Sequence, residues 1–188
     1  MRLMILLTLC AGVLLGCATT EPLPTFFILS RVSPTKRTHL SGPVRVFVRR
    51  VEVPAYLSRR NVASMHGQEI RYAPAALWAL PLDQTIAIGV AANLTQIGIP
   101  AVGFQPMETP PPHQYEVVIR ITHFEGHENG DVFLAGNWRV TRPNGDTVAS
   151  RPVSIHRSGW EPGRYAQLVT LLSDAVTELS KRIAAAVP

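Results

Sequence analysis

Residues 115–157 alternate apolar and polar side chains in three runs, separated by two turns that carry glycine. Tyr115, Val117, Ile119 and Ile121 alternate with Glu116, Arg120 and Thr122. Val132, Leu134, Trp138 and Val140 line one face of the returning run, and a third run occupies 147–157. Side chains of a strand point alternately to its two faces, so a period of two marks half-buried strands and not a helix. Asn129-Gly130 suits a tight hairpin turn. Residues 142–146, Arg-Pro-Asn-Gly-Asp, make a second turn. This pattern predicts a three-stranded antiparallel meander whose apolar face needs a cover.

Two segments have the period to supply that cover. Leu82, Ile86, Gly89, Val90, Asn93, Leu94 and Ile97 fall three and four residues apart, giving a helix with one mostly apolar face. Pro81 suits its first turn and Gly98 its end. Tyr165, Leu168, Leu172, Ala175, Val176, Leu179 and Ile183 form the stripe of a closing helix. Further strands are expected at 26–29 (Phe-Phe-Ile-Leu), at 44–53 and at 102–104, with a short hairpin over 61–73 around His66-Gly67. Val44, Val46 and Val48 share one face, whereas Val51 and Val53 belong to the other. The phase slips at Arg49-Arg50, and a bulge there returns both sets to the core side. Residues 30–43 and 106–114 read as loops, the second stiffened by Pro110-Pro111-Pro112. The expected fold class is α+β: a two-layer domain, a mainly antiparallel or mixed sheet of about five to seven strands, with two amphipathic helices on one face.

The chain opens differently. Arg2 precedes an apolar stretch from Leu3 to Leu15. That is short of the roughly 20 apolar residues of a membrane-spanning helix and fits a secretory signal. Leu14-Leu15-Gly16-Cys17 resembles the lipobox of bacterial lipoproteins. The resemblance implies cleavage before Cys17, with a diacylglycerol on its thiol and a further acyl chain, such as palmitate, on its amine. Two or more chains give stable anchoring where one is marginal. The expected organisation is a signal peptide over 1–16, a lipidated N-terminus and tether over 17–25, and one domain over 26–188. Ala18, where an aspartate would favour inner-membrane retention, points to the outer membrane.

About 170 residues follow the signal, enough for one domain that buries roughly 70 % of its unfolded surface. Both cysteines, Cys10 and Cys17, lie at or before position 17, so the domain has no disulfide and no thiol nucleophile. The formal net charge is +5, and Lys36 and Lys181 are the only lysines. Arg45, Arg49, Arg50, Arg59 and Arg60 fall close together. Guanidinium groups pair bidentately with carboxylates and phosphates, so Arg49, Arg50, Arg59 and Arg60 are candidate partner-binding residues; a plain solvated face is the alternative. Sequence signatures of nucleic-acid readers are absent. Trp78 and Trp160 fall in connecting segments, where Trp serves either as an interface anchor or as a cap on the core.

Chemistry has one candidate. His123, Glu125 and His127 share a face if their segment is a strand, and two imidazoles with a carboxylate could hold zinc with one position open. They approach a hairpin turn, where polar side chains ordinarily meet solvent, and no further ligand or base is marked. No serine sits in a G-x-S-x-G context, and no phosphate-cradling glycine motif precedes a helix. The expectation is therefore a non-catalytic protein with no metal and no cofactor, a metal-dependent periplasmic enzyme being the rival.

Taken in order, several segments resemble the PqiC-type family of auxiliary lipoproteins of ABC transport systems. They are Phe26–Leu29, "VRVFVRRVEVPAYLSRRNV" (44–62), "LWALPLDQTI" (77–86), "YEVVIRITHFEG" (115–126), "VFLAGNWRV" (132–140) and the closing helix. Leu77 and Leu80 depart from the family's usual Arg and Glu around Trp78. The resemblance implies a periplasm-facing lipoprotein that docks an MCE-domain protein within a lipid transport system between the inner and outer membranes and supports the envelope. Its attachment is the membrane lipid of acylated Cys17. Homo-oligomerisation stays open, and an envelope-assembly lipoprotein with a different partner is the alternative.

Overall fold

The computed structural model describes residues 23–29, 45–106 and 108–188. The signal segment, Cys17, most of the tether, the loop over 30–43 and Val44 lie outside the described residues. Eight strands form one mixed sheet: β1 (Thr25–Phe27), β2 (Val46–Val48), β3 (Asn61–His66), β4 (Glu69–Trp78), β5 (Ala101–Gly103), β6 (Tyr115–His127), β7 (Val132–Thr141) and β8 (Thr147–Arg157). Among the described residues two helices, α1 (Leu82–Gln96) and α2 (Tyr165–Ala184), complete the α+β domain, with a 3-10 turn at Ala55–Ser58.

The meander is as the alternation predicts. β6 pairs antiparallel with β7, and β7 with β8. Long β6 is the spine. On its other side β2 runs parallel to its start (Val46↔Tyr115, Val48↔Val117), and β3 runs parallel to its end (Ser64↔Gly126). β5 adds to β2 in parallel, and β4 pairs antiparallel with β3 through the turn at Gly67. β1 adds to β4 in parallel and forms an edge. The first strand begins one residue inside the expected tether and its pairing stops at Phe27, short of Leu29. The hairpin is longer than 61–73 because β4 continues to Trp78. It absorbs Pro74 in an irregular stretch where Asn61 pairs with Leu77 but Ala63 already pairs with Tyr72. A proline has no N–H for a ladder and is tolerated at such a bulge.

One core fills the space between the sheet and the helices. Ile86, Val90 and Leu94 of α1 and Leu168, Leu172, Leu179 and Ile183 of α2 are fully buried, in one cluster with Val46, Val48, Val117, Ile119, Leu134 and Trp138. Ile97 departs from its stripe and is half exposed, because α1 stops at Gln96 and Gly98 turns the chain with φ 93°. Trp160 is buried beside the start of α2, its ring seated over Gly126.

Candidate functional site

The slip at Arg49-Arg50 stands beside a broad surface groove. Val48 pairs with Val117, while Glu52 bridges Arg120, so four steps along one segment match three along β6. The backbone stays attached: Arg49 N–H donates to the Val117 carbonyl at 2.9 Å, and Glu52 N–H donates to that of Ile119 at 3.0 Å. The extra residue returns Val51 to the core, 2 % exposed, with Val53 packed against it. Pro54 then starts the 3-10 turn. Between this turn and the start of α1 lies a surface groove of about 780 Å³, lined by Arg50, Glu52, Val53, Ser58, Pro81 and Asp83. Two of the segments singled out in the sequence, 44–62 and 77–86, therefore meet in one place.

Charge in the groove is paired. Arg50 Nε donates to Asp83, whose side chain is only 8 % exposed at the positive end of α1. Arg120 donates to Glu52 at 2.7 Å, both exposed. Arg49 reaches Glu116 at 3.5 Å. The other two arginines face a different neighbourhood. Arg59 lies 4.7 Å over the Tyr72 ring. Arg60 donates to the Trp78 and Ala79 carbonyls at 3.0–3.3 Å and lies 5.6 Å from the Phe26 ring. The arginines thus do not form one patch: Arg50 lines the groove, Arg49 pairs with the start of β6, Arg59 lies over β4 and Arg60 meets β1. Trp78 ends β4 and does not sit in a connection; it is 2 % exposed, with its ring 6.1 Å from Phe124. Of its two expected roles it takes the core one and offers no indole to a partner in this arrangement.

His123, Glu125 and His127 share one side of β6, but not as a hydrated hairpin tip. The register slips between Ile121 and His123, which turns Phe124 and Gly126 inward and leaves Glu125 on the opposite face. There the 3-10 turn covers it completely. The Glu125 carboxyl accepts from Tyr56 Oη at 2.8 Å and from the Phe124 N–H at 2.6 Å, and it faces His123 Nδ1 at 2.8 Å. His127 Nε2 stands off at 3.8 Å. Burial first, then the negative charge of Glu125, raise the Tyr56 hydroxyl well above its ordinary value, so Tyr56 stays a donor. The carboxyl is already occupied by donors of the fold, and among the described residues no group of three His, Cys, Asp or Glu side chains is placed to hold a metal ion. Tyr56 is the residue that spacing could not supply. It lies 69 positions before Glu125, and its only mark in the sequence is the Pro-x-Tyr-Leu-x-Arg segment.

No described helix is long and apolar enough to cross a membrane. The architecture matches solved structures. A crystal structure of an uncharacterized protein superposes with a TM-score of 0.69 at 23 % identity, covering 89 % of this chain and 100 % of that one. A Xanthomonas campestris protein of the DUF330 family superposes with a TM-score of 0.64 at 16 % identity, covering 85 % of this chain and 92 % of that one. At these identities the likeness concerns the fold alone. No curated protein matches the sequence. The model of one family, the ABC-type transport auxiliary lipoprotein component, matches residues 27–184, from β1 to the last residue of α2. This chain belongs to that family.

Proposed function

We propose that the chain is a lipid-anchored, non-catalytic auxiliary subunit of an ABC system that moves lipid between the inner and outer membranes through an MCE-domain protein. Acylated Cys17 holds it to the periplasmic face of the outer membrane, and the globular domain docks the distal end of the conduit. The observation that carries this is the family match over 27–184 directly behind a lipobox at Leu14–Cys17.

The geometry supports a docking role over a chemical one. Glu125 is occupied by Tyr56 and Phe124, and the groove pairs its charges without a nucleophile beside a base. Its volume of about 780 Å³ lies in the range of about 300–1,000 Å³ of clefts that hold a bound group. Arg50 lines this groove, Arg49 reaches Glu116 beside it, Arg59 lies over Tyr72 and Arg60 stands at the β1 edge, with Trp78 buried beneath.

Mild crosslinking of cells carrying a C-terminally tagged copy, followed by membrane solubilisation and mass spectrometry of the captured proteins, tests this. An MCE-domain protein is expected. Ser58→Trp, which fills the groove without removing a charge, is expected to abolish that capture at unchanged thermal stability. Cys17→Ala is expected to leave the protein off the membrane. Capture of an outer-membrane barrel or a cell-wall protein instead would move the function to envelope assembly.

A further inference from the structure

β1 presents a set of apolar side chains that the core does not use. Strand alternation turns Phe27 and Leu29 inward and Phe26 and Ile28 outward. Leu29 is 4 % exposed, whereas Phe26 is 55 % and Ile28 60 % exposed. Leu23, two residues before the strand, is 88 % exposed, and Leu80 at the mouth of α1 is 43 % exposed. Ile28 and Leu80 line one shallow groove together with Ile88 of α1. A second apolar groove, against Pro74, Ala76 and Tyr165, flanks the other side of the strand. Their volumes, about 60 and 260 Å³, fall below what an enclosed ligand site takes. This is a surface and not a pocket.

Position along the chain identifies what covers it. Leu23 is six residues after Cys17. Fully extended, six residues reach at most about 22 Å, less than the roughly 30 Å width of a small domain. Whatever path the tether takes, the β1 edge is the part of the domain held beside the acyl chains of Cys17. Chemistry matches the position. Exposed Arg60 borders the edge, its guanidinium 5.6 Å from the Phe26 ring. Guanidinium groups bind phosphate in a bidentate manner, and apolar side chains beside cations are the composition of segments that lie in the headgroup layer.

We propose that Leu23, Phe26, Ile28 and Leu80, with Arg60, lie against the phospholipid surface that holds Cys17. The proposal rests on acylation of Cys17. It gives the anchored domain one fixed orientation, with β1 down, in place of a free swing on its tether.

The full-length lipoprotein is reconstituted into vesicles of phosphatidylethanolamine and phosphatidylglycerol that carry a diazirine-bearing phospholipid. Intact mass first reads the acyl groups on Cys17. After illumination, lipid labels are expected on peptides covering 23–29 and Leu80. Phe26→Asp with Ile28→Asp is expected to remove the label at Leu80 while leaving the acyl mass and the melting temperature unchanged, since both side chains are exposed. Labels confined to residues before Leu23, with Cys17 acylated, overturn the proposal and leave the anchor standing. Crosslinks between copies at Phe26 and Ile28 in place of lipid labels assign the edge to a second copy and overturn it as well. An unacylated Cys17 removes the anchor, and this proposal with it.

Discussion

Tyr56→Phe isolates the contact between the 3-10 turn and the buried carboxyl of β6. The hydroxyl donates to Glu125 at 2.8 Å and lies 3.1 Å from the Thr122 carbonyl. Glu125 is 0 % exposed and keeps two donors after the substitution, the Phe124 N–H and His123. A hydrogen bond to a charged group contributes about 1.5–3 kcal/mol, and a buried acceptor left short bears most of its desolvation. Tyr56 is itself only half-buried, so water enters where the hydroxyl was, and the expected loss is about 1.5–2 kcal/mol. For a domain of this size that lowers the melting temperature by about 3–8 °C. His123→Ala removes a donor that is 55 % exposed and is expected to cost less than about 1 kcal/mol. The pH profile separates this contact from mere packing. The folded state raises the Tyr56 hydroxyl above its ordinary value of 10, so the native protein holds that proton where the unfolded chain releases it. Its contribution is complete below pH 10 and is lost as pH rises beyond that. Urea denaturation of both proteins from pH 7 to 11 is therefore expected to show a stability difference that is constant at first and narrows above pH 10. Equal stability at pH 7 together with a parallel alkaline decline would refute the bond between Tyr56 and Glu125.

Two further substitutions probe the groove and the close packing behind β6. Arg50→Ala strands Asp83, 8 % exposed, without its cation. An exposed guanidinium keeps the loss at about 1–3 kcal/mol, and a double-mutant cycle with Asp83→Ala by urea denaturation is expected to return a coupling of about 1 kcal/mol or more. Additivity would show that the pair contributes nothing. Gly126→Ala places a Cβ 2.5 Å from Trp160 Cε3 and 2.9 Å from Leu168 Cδ1. The ring has to move, at a cost of about 1–3 kcal/mol, with a change in tryptophan emission; an unaltered denaturation midpoint would contradict the placement of Trp160.

Periodicity carried much of this fold, and distance along the chain marks where it stopped. Tyr115–Ile121 and Leu168–Ile183 announce a strand and a helix because each side chain's environment depends on neighbours two, three or four residues away. The bulge at Arg49-Arg50 was legible for the same reason, as Val46, Val48 and Val51 can reach one core only if a residue is inserted between them. Strand order was not. Nothing near Val46 shows that β2 lies beside the start of β6 and β3 beside its end, because parallel neighbours are joined through long connections with no local turn to mark them. Trp78 shows the same limit. It stands beyond the hairpin expected over 61–73, yet β4 carries Pro74 in a bulge and runs on until Trp78 is covered by Phe124.

The histidine pair beside Glu125 shows why a local constellation is weak ground for chemistry. Alternation correctly puts three donor-bearing side chains on one face of β6, and that face resembles half of a zinc site. Whether it can act as one depends on what arrives from elsewhere in the chain. Here a tyrosine 69 residues upstream arrives with its hydroxyl on the carboxyl, and the backbone N–H of Phe124 takes the same Oε2 at 2.6 Å. A metal ion would have to displace a half-buried phenol whose proton the site holds tightly. The insertion at Arg49-Arg50 is followed by the turn bearing Tyr56, so the segment that lines the groove on one side also occupies the carboxyl on the other. With no cysteine after position 17 to form a disulfide, the fold gains from that arrangement: Glu125 ties the 3-10 turn to the spine of the sheet and so holds one wall of the groove in place.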